Sequence, residues 1–248
     1  MLTKSLANEA AVREGDAMTG TLSDTHSYAP ATETVPARQS RKQRSPSDML
    51  KRAMDLAIAI PMAIFLLPAY ILLAVIIYAD DKGPILFKQT RRGMNGKPFT
   101  CLKFRTMVTD AGDRLERLLA TDPALRAEWE ATQKLKNDPR ITGVGGFLRK
   151  YSLDELPQLW NIIKGEMSIV GPRPIVDDEV RRYGNHIDHY DHVRPGVVGL
   201  WQINGRNDTS YDKRVQLDVS YAQTRNVLLD LKILFGSIPA ILLKRGAY

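Results

Sequence analysis

Residues 149–174 read RKYSLDELPQLWNIIKGEMSIVGPRP and contain two adjacent carboxylates, Asp154 and Glu155. The pair stands just after a serine, at the start of an apolar helical pattern. Arg149 precedes it, and a stiff Gly-Pro-Arg-Pro turn with Arg173 follows. One carboxylate can attack phosphorus, a second can hold a metal ion, and guanidinium groups bind phosphate oxygens. The stretch therefore predicts a phosphate-handling site.

The same residues also fit a purely structural role. Ser152 and Glu155 match S-x-x-E, the capping box of a helix N-terminus, where acidic residues are favoured by the helix macrodipole. Pro157 fits less well, because with Ser152 as N-cap it lies beyond the free N–H positions and deletes a helical hydrogen bond. A helix that begins nearer Asp154 accommodates this proline better. Both interpretations of the acidic pair stay open on these residues alone.

Composition indicates the kind of partner. The chain has 248 residues, of which 44 % are apolar, so it can form a real core. Its formal net charge is +7 and its pI about 9.5, which favours nucleic acid, acidic lipid or phosphorylated substrates as partners. The positive charge is the only feature that points to nucleic acid, because the sequence contains no nucleic-acid recognition motif. The single cysteine, Cys101, excludes disulfides and cysteine-based zinc sites within one chain.

The N-terminal part changes character twice. Residues 1–47 are rich in Ser, Thr, Ala, Pro and Glu, and we expect them to be disordered. They show no signal-peptide pattern, and they end in a basic cluster that continues through Lys51 and Arg52. Residues 56–79 then carry no charge. As one helix this run would be ~36 Å long, enough to cross a hydrocarbon core of ~30 Å.

Two prolines leave the topology of this run open. Pro61 and Pro68 interrupt it, and Pro68 lies near its centre. Two halves of ~18 Å could therefore enter a bilayer to mid-depth and return. Periodicity does not separate a spanning helix from a re-entrant hairpin, or either of these from a buried helix of a soluble protein.

A β-hairpin is predicted next. Two β-favouring runs, residues 85–89 and 99–105, flank a segment with an Asn-Gly pair, which is typical of a turn. Alternation places Lys103 and Arg105 on the same face of the second strand. These charges are either phosphate ligands or solubilising charges of an edge strand.

The rest of the chain reads as further helices and one strand. Asn204-Gly205 marks a turn that projects Arg206. Residues 227–243 indicate either a pair of interfacial amphipathic helices or a helix packed on the core. The remaining assignments are one or two polar helices at 110–136 with a break at Asp122-Pro123, a flexible glycine link at 143–146, a helix at 177–190, a strand within 193–203 and a helix at 211–223.

Taken together and in this order, several segments resemble a known family, the monotopic phosphoglycosyl transferases or bacterial sugar transferases. The resemblance runs from about Lys51 to Tyr248. Its segments are Lys-Arg-x-x-Asp before the proline-broken run, KFRTM at 103–107, SLDELPQL at 152–159, GEMSIVGPRP at 165–174, RPG at 194–196 and NGRN at 204–207. Residues 135–140 (LKNDPR) and the terminal KRGAY are similar to the galactosyl-phosphate transferases that start succinoglycan-type exopolysaccharide.

The resemblance implies an activity. Family members transfer a hexose 1-phosphate, here galactose before glucose, from a UDP-sugar to undecaprenyl phosphate and release UMP, as the first membrane step of exopolysaccharide synthesis. It implies Asp154 as the nucleophile that becomes an aspartyl-phosphosugar. It also implies Glu155 as the residue that manages the acceptor proton, and both carboxylates as ligands of Mg²⁺. The substrate-binding residues that it implies are Arg173, Arg149, Arg206, Lys103 and Arg105.

The resemblance also implies a fold and a location. The fold class is α+β, with a disordered tail at 1–47, a re-entrant membrane helix hairpin at 48–80 and a cytosolic domain at 81–248 with a short β-hairpin and amphipathic interfacial helices. The UDP-sugar is cytosolic, so both flanks of the hairpin are expected on the cytoplasmic face of the bacterial inner membrane. The family breaks this hairpin at Ser-Pro, whereas Leu67-Pro68 keeps the proline without the hydroxyl. Membrane lipids are expected partners, nucleic acid is not, and a homo-oligomer stays open.

Two other functions remain compatible with the sequence. A glycosyltransferase that moves the sugar alone would release UDP, and usually needs a larger nucleotide-binding fold. A non-catalytic membrane adaptor of a polysaccharide assembly complex would suit the basic tail and the hairpin. It would leave the acidic pair and the Gly-Pro-Arg-Pro turn without a role.

Overall fold

The computed structural model describes residues 46–132, 135–204 and 210–242. The predicted tail lies outside these residues, except for Pro46 and Ser47, which begin the first helix. Within the described ranges the chain is a helix-dominated α+β structure with two two-stranded sheets. This agrees with the predicted class at the level of secondary structure.

The apolar run forms two helices, α1 (Pro46–Phe65) and α2 (Leu67–Asp80), bent by 59°. The break falls at Leu66, and Pro68 lies in the first turn of α2, where its missing N–H is least costly. Backbone bonds from Leu66 N to Met62 O and from Tyr70 N to Leu66 O, both 2.9 Å, satisfy groups on each side of the break. None of the described helices is long and apolar enough to cross a membrane alone. By length and composition, the bent pair could do so together as a broken span, or form a re-entrant loop.

The β-hairpin is confirmed. Strands β1 (Leu86–Arg92) and β2 (Pro98–Phe104) pair antiparallel, joined by a turn in which Asn95 and Gly96 have positive φ values of 60° and 69°. An asparagine followed by a glycine tolerates this left-handed backbone. Arg105 lies just beyond β2, and its N–H still donates to Ile85 O.

In the middle of the chain, one prediction is confirmed and another, for the glycine-rich segment 143–146, is wrong. Helices α3 (Ala111–Thr121) and α4 (Pro123–Thr132) confirm the break at Asp122-Pro123. Residues 143–146, however, are not a flexible link but the first turn of α5 (Gly143–Lys150). Thr142 caps this helix by accepting from Gly145 N at 2.9 Å. A Cβ on Gly145 would lie 2.0 Å from Thr106 O, so glycine is needed for α5 to pack on this backbone.

The acidic pair does not begin a regular α-helix. It lies in a 3₁₀ turn, Leu153–Glu155, and α6 (Gln158–Lys164) starts only after Pro157, which occupies the N-cap. The Ser152 side chain makes no capping bond, so the capping-box interpretation is wrong. Its left-handed backbone is the physical reason, because an N-cap residue normally has extended φ and ψ angles.

The C-terminal half contains a second, parallel sheet of β3 (Ser168–Val170) and β4 (Gly196–Val198). The strand predicted within 193–203 is therefore short. The Gln202 side chain accepts from Gly199 N and caps a helix that replaces the strand's second half. The helix predicted at 177–190 is interrupted at Gly184, whose φ is +50°. The helices of this half are α7 (Asp177–Tyr183), α8 (Ile187–Asp191), α9 (Leu200–Ile203), α10 (Tyr211–Thr224) and α11 (Val227–Leu242).

The last helix packs on the core. α11 is one helix rather than the predicted pair, and it packs against α1, α9 and both strands of the parallel sheet. Asp230 and Ile233 are buried on this side, whereas Leu228 and Phe235 are exposed. The alternative prediction for this segment, a helix packed on the core, is therefore confirmed for the face of α11 that carries Asp230 and Ile233. The main apolar cluster brings together α1, β2, α6, both strands of the parallel sheet, α10 and α11.

Candidate active site

The acidic pair lies on a strained turn. Ser152 has φ 56° and ψ 24°, a left-handed conformation that costs a residue with a side chain about 1–2 kcal/mol. Its carbonyl accepts from Glu155 N at 3.3 Å, which closes the turn. Tyr70 of α2 donates its hydroxyl hydrogen to Leu156 O directly after it. Strain of this kind persists where neighbouring groups hold it and is common at functional sites.

Both carboxylates line a cleft of roughly 990 Å³. This volume lies at the upper end of the ~300–1,000 Å³ typical of ligand sites. Its described lining contains six basic side chains and two acidic ones, so the cleft favours an anion. Arg206 lies outside the described residues. All the other predicted site residues line this one cleft: Asp154, Glu155, Lys103, Arg105, Arg149 and Arg173.

Lys103 joins the two carboxylates. Its Nζ lies 2.6 Å from Glu155 Oε1 and 3.7 Å from Asp154 Oδ2. The buried side chain of Asn161 on α6 accepts from Leu102 N at 3.0 Å and donates to Thr100 O at 2.7 Å. Asn161 thereby occupies the edge of β2 that β1 does not pair with. These hydrogen bonds fix the position of β2, which carries Lys103, relative to α6, which follows the acidic pair.

Two predicted arginines from other parts of the chain line the same cleft as the acidic pair. Arg149, in the last turn of α5, donates from Nε to Thr106 Oγ1 at 2.9 Å. Arg173 is held through its backbone, since its carbonyl oxygen lies 3.2 Å from the hydroxyl of buried Tyr190. The buried Nε of Arg173 has no hydrogen-bond partner among the described residues. Arg173 therefore retains a donor for a ligand.

Arg105 has a second role. Its Nη1 lies 2.7 Å from Asp81 Oδ2, and its Nη2 also donates to the Asp81 carbonyl. Asp81 directly follows α2. Arg105 thus ties the end of α2 to the β-hairpin while it lines the cleft. Its prediction as a substrate ligand stays a prediction.

Arg91 was not among the predicted site residues, because it lies between the two predicted strands, in the segment expected to turn. Arg91 lines the cleft, donating to Gln89 Oε1 at 2.6 Å and to Pro174 O at 3.0 Å beside the Gly-Pro-Arg-Pro turn. The strand register places alternate β1 residues opposite alternate β2 residues, in the pairs Phe87–Lys103, Gln89–Cys101 and Arg91–Phe99. Counting outward from the Asn-Gly turn could have given this register.

Burial dominates the electrostatics of Asp154. It raises the pKa of Asp154, whose side chain is 13 % exposed, and the Glu155 charge raises it further. The Lys103 and Arg149 charges act in the opposite direction. Burial likewise lowers the pKa of Arg149, against the charge of Asp154. A carboxylate removed from water yet flanked by cations is typical of a functional site.

The two carboxylates fit one kind of metal site. The described residues contain no group of three or more His, Cys, Asp or Glu side chains placed to hold an ion. A closed protein cage is therefore not formed in this part of the chain. Mg²⁺ commonly uses one or two carboxylates and completes its octahedron with water and substrate phosphate oxygens. Asp154 and Glu155 meet that requirement.

A buried carboxylate beside a second one, in a cleft lined by basic side chains, defines a site for a phosphate-bearing ligand. The chain belongs to the bacterial sugar transferase family, whose model, described as "Bacterial sugar transferase", matches residues 46–244.

Similar proteins carry related names. The chain is 50 % identical over 198 residues to "Exopolysaccharide production protein ExoY" of Sinorhizobium fredii, covering 80 % of this chain and 88 % of that protein. It is 48 % identical over 202 residues to "UDP-galactose-lipid carrier transferase" of Erwinia amylovora, covering 82 % and 42 %. It is also 48 % identical over 210 residues to "Undecaprenyl-phosphate galactose phosphotransferase" of Salmonella typhimurium, covering 85 % and 44 %. The chain thus spans less than half of the latter two relatives and most of the first.

Proposed function

We propose that this protein transfers a hexose 1-phosphate from a UDP-sugar to undecaprenyl phosphate and releases UMP, as the first membrane step of exopolysaccharide synthesis. The observation that carries the proposal is the buried Asp154 carboxylate beside Glu155 and Lys103 in a basic cleft. Family membership and the relatives' printed names support the same chemistry. Galactose is the proposed hexose, because two of the similar relatives are named for it.

The first step forms an enzyme-bound phosphosugar. An Asp154 carboxylate oxygen attacks the phosphorus that bears the sugar, a new P–O bond forms, and the phosphoanhydride bond to UMP breaks with its electron pair leaving on UMP. Arg149 and Arg173 would bind the phosphate oxygens, since both line the cleft and guanidinium groups suit this geometry. Holding the two reacting groups in place is most of what a protein contributes to phosphoryl transfer.

The second step returns the aspartate. A phosphate oxygen of the lipid attacks the same phosphorus, and the bond to Asp154 breaks to restore the carboxylate. Glu155, which is more exposed than Asp154, would take a proton from the incoming phosphate. Two displacements at one carboxylate let two bulky anions use the site in turn, which predicts ping-pong kinetics.

We include Mg²⁺ as the proposed cofactor, held by Asp154 and Glu155 together with substrate phosphate. When bound, it would offset the charge of the diphosphate. Lys103 already neutralises part of the acidic pair at 2.6 Å from Glu155. Glu155 would exchange this lysine contact for the metal when the donor binds.

We further propose that the α1–α2 hairpin is re-entrant and lies in the cytoplasmic leaflet of the bacterial inner membrane. Several large apolar side chains support this by their exposure, among them Ile64 and Phe65 of α1 and Ile71, Leu72 and Val75 of α2. The Tyr70 contact to the catalytic turn would keep the site close to the lipid phosphate.

One assay separates the proposal from its two rivals. Purified protein in detergent is mixed with UDP-galactose alone, and UMP, UDP and labelled protein are quantified. We expect about one UMP per enzyme and an acid-sensitive phosphosugar on the peptide with Asp154, with UDP-glucose as the comparison donor. Release of UDP would favour the glycosyltransferase, and release of neither nucleotide, with or without the lipid, would favour the adaptor.

A further inference from the structure

The cleft is not uniform along β1. Arg91 stands at one end and contacts the Gly-Pro-Arg-Pro turn through Pro174 O. Phe87 lies four residues earlier, ~13 Å away along an extended strand, at the end nearest α2. Two chain segments supply the apolar part of the lining, the start of β1 and the residues after β2, with Pro84, Leu86, Met107, Val108 and Ala111 beside the basic Lys88 and Arg105. The far end has instead the glycines of 196–199, Trp201 and Gln202.

Phe87 is also unusually open for a large aromatic side chain. It is 48 % exposed, although it lies directly opposite Lys103 in the sheet. The lysine bridges the two catalytic carboxylates, so an exposed apolar surface borders the reacting centre. Arg105 follows two residues after Lys103, and its buried Nε has no partner among the described residues. Basic donors and an apolar wall therefore stand side by side.

This wall continues the exposed apolar surface of the membrane hairpin. β1 begins six residues after α2 ends, and Arg105 ties Asp81 to the end of β2. Val75, Ile76 and Tyr78 near the end of α2 are exposed, as is Leu86 at the start of β1. The exposed apolar side chains of α2 and β1 thus lie on either side of a short segment, residues 81–85, which also carries the exposed Lys82.

We propose that the Phe87 end of the cleft is the acceptor subsite. It receives the first isoprene units of the polyprenyl chain, while Lys103 and Arg105 receive the attached phosphate. The inference rests on the proposed function and names where its second substrate binds. A UDP-sugar has only its uracil ring to place against an apolar surface, whereas a polyprenyl phosphate joins a long apolar chain to an anionic head. The apolar side chains that are exposed on α2 and at the start of β1 favour the lipid.

The test separates the two half-reactions in detergent, so that membrane recruitment does not enter. The donor step is followed as UMP release with UDP-sugar alone. The lipid step is followed by chasing the labelled enzyme with undecaprenyl phosphate or with a two-isoprene phosphate. The variants are Phe87→Ala, Phe87→Ser and Phe87→Leu. Phe235→Ala is the matched control, because Phe235 is an exposed phenylalanine on α11 that does not line the cleft.

We expect Phe87→Ala and Phe87→Ser to raise the acceptor KM by about five- to tenfold for both lipids, the size of one lost apolar contact. Phe87→Leu should stay within about twofold of wild type, because it keeps an apolar side chain. An unchanged acceptor KM would overturn the subsite. So would a donor step slowed as much as the lipid step, or an equal effect of Phe235→Ala. If wild-type enzyme releases no UMP, the proposed function itself fails before any variant is compared.

Discussion

At the scale of single residues, Asp154 combines opposing demands. The proposed reaction needs an ionised carboxylate, yet burial raises the pKa of this group and disfavours its charge. Because the folded-state pKa lies above the unfolded one, folding favours the protonated form. The charge therefore destabilises the fold above the folded-state pKa, and this cost disappears below the unfolded pKa. Residues selected for activity commonly carry such a cost.

Asp154→Asn should remove activity without weakening the fold. We expect turnover to fall by about 10³-fold or more, with a Tm unchanged or about 1–3 °C higher, since the amide needs no charge solvation. Lys103 keeps its 2.6 Å contact to Glu155 in this variant. UMP release and thermal unfolding in detergent measure the two effects. Asp113→Asn, at an exposed position on α3, is the control. Full turnover in the Asp154 variant would refute the nucleophile assignment.

The pH dependence of the donor step should report on the same carboxylate. Its acid limb is expected above the ordinary range of an aspartate, because burial raises the Asp154 pKa. Glu155→Gln removes a charge that raises this pKa and should move the limb to lower pH. Lys103→Met removes a charge that lowers it and should move the limb to higher pH. The UMP burst measured across pH tests both. Shifts in the same direction for the two variants would contradict the electrostatic account.

At the scale of elements, three charged side chains that precede the apolar run hold α1 against the rest of the described chain. Lys51 Nζ lies 2.7 Å from buried Asp230 Oδ2 on α11. Arg52 donates to the Ile162 and Ile163 carbonyls, which caps α6. Asp55 accepts from Ser168 Oγ and Ile169 N at 3.0 and 3.1 Å. The Lys-Arg-x-x-Asp pattern thus docks α1 on the rest of the described chain as well as supplying positive charge.

Breaking one of these contacts should cost stability. Lys51→Met removes the cation from buried Asp230, whose remaining side-chain partner in the described part of the chain is the Tyr221 hydroxyl at 2.7 Å. The change should cost about 3–5 kcal/mol. For a chain of this size that corresponds to roughly 6–20 °C in Tm. Adding Asp230→Asn should restore most of the loss, because the buried charge is gone.

The control for this prediction is Lys164→Met. It breaks an exposed pair with Glu166, and such pairs contribute about 0–1 kcal/mol. Thermal unfolding of the four proteins in one detergent measures the set. If Lys51→Met has the same Tm as the Lys164→Met control, the Lys51–Asp230 contact contributes little to stability.

The elements also show what could be predicted from the sequence. The Asn-Gly turn and the Asp122-Pro123 break are local signals, and both elements were found. The first turn of α5 was missed because three glycines weaken helix propensity, and the reason they are tolerated is distant: Gly145 packs on the Thr106 backbone. The sequence shows the chemical type of each site residue, but it does not show that these residues lie close together. Their proximity depends on the hydrogen bonds of Asn161 and on the strand register.

At the scale of the whole molecule, the α1–α2 hairpin and the turn that carries Asp154 and Glu155 form one unit. Tyr70, four residues after the break at Leu66, reaches Leu156 beside the acidic pair, and its ring contacts Phe104 of β2 with centroids 5.6 Å apart. The inner face of α2 is packed on this body, and the outer face is apolar and exposed. A hairpin held in this way should present both its flanks to the same side of the membrane.

Cysteine labelling tests that topology. Met49→Cys precedes the hairpin and Lys82→Cys follows it, both at exposed positions. The native Cys101 is buried, and burial raises the pKa of its thiol, so the parent protein should give a low background with a charged maleimide. In sealed inside-out vesicles we expect both introduced cysteines to be labelled, and in right-side-out vesicles neither until detergent is added. A hairpin that spans instead would expose one position in each preparation. The Lys51–Asp230 and Tyr70–Leu156 contacts hold both helices on the same side of the described domain, and they are the reason we expect the re-entrant result.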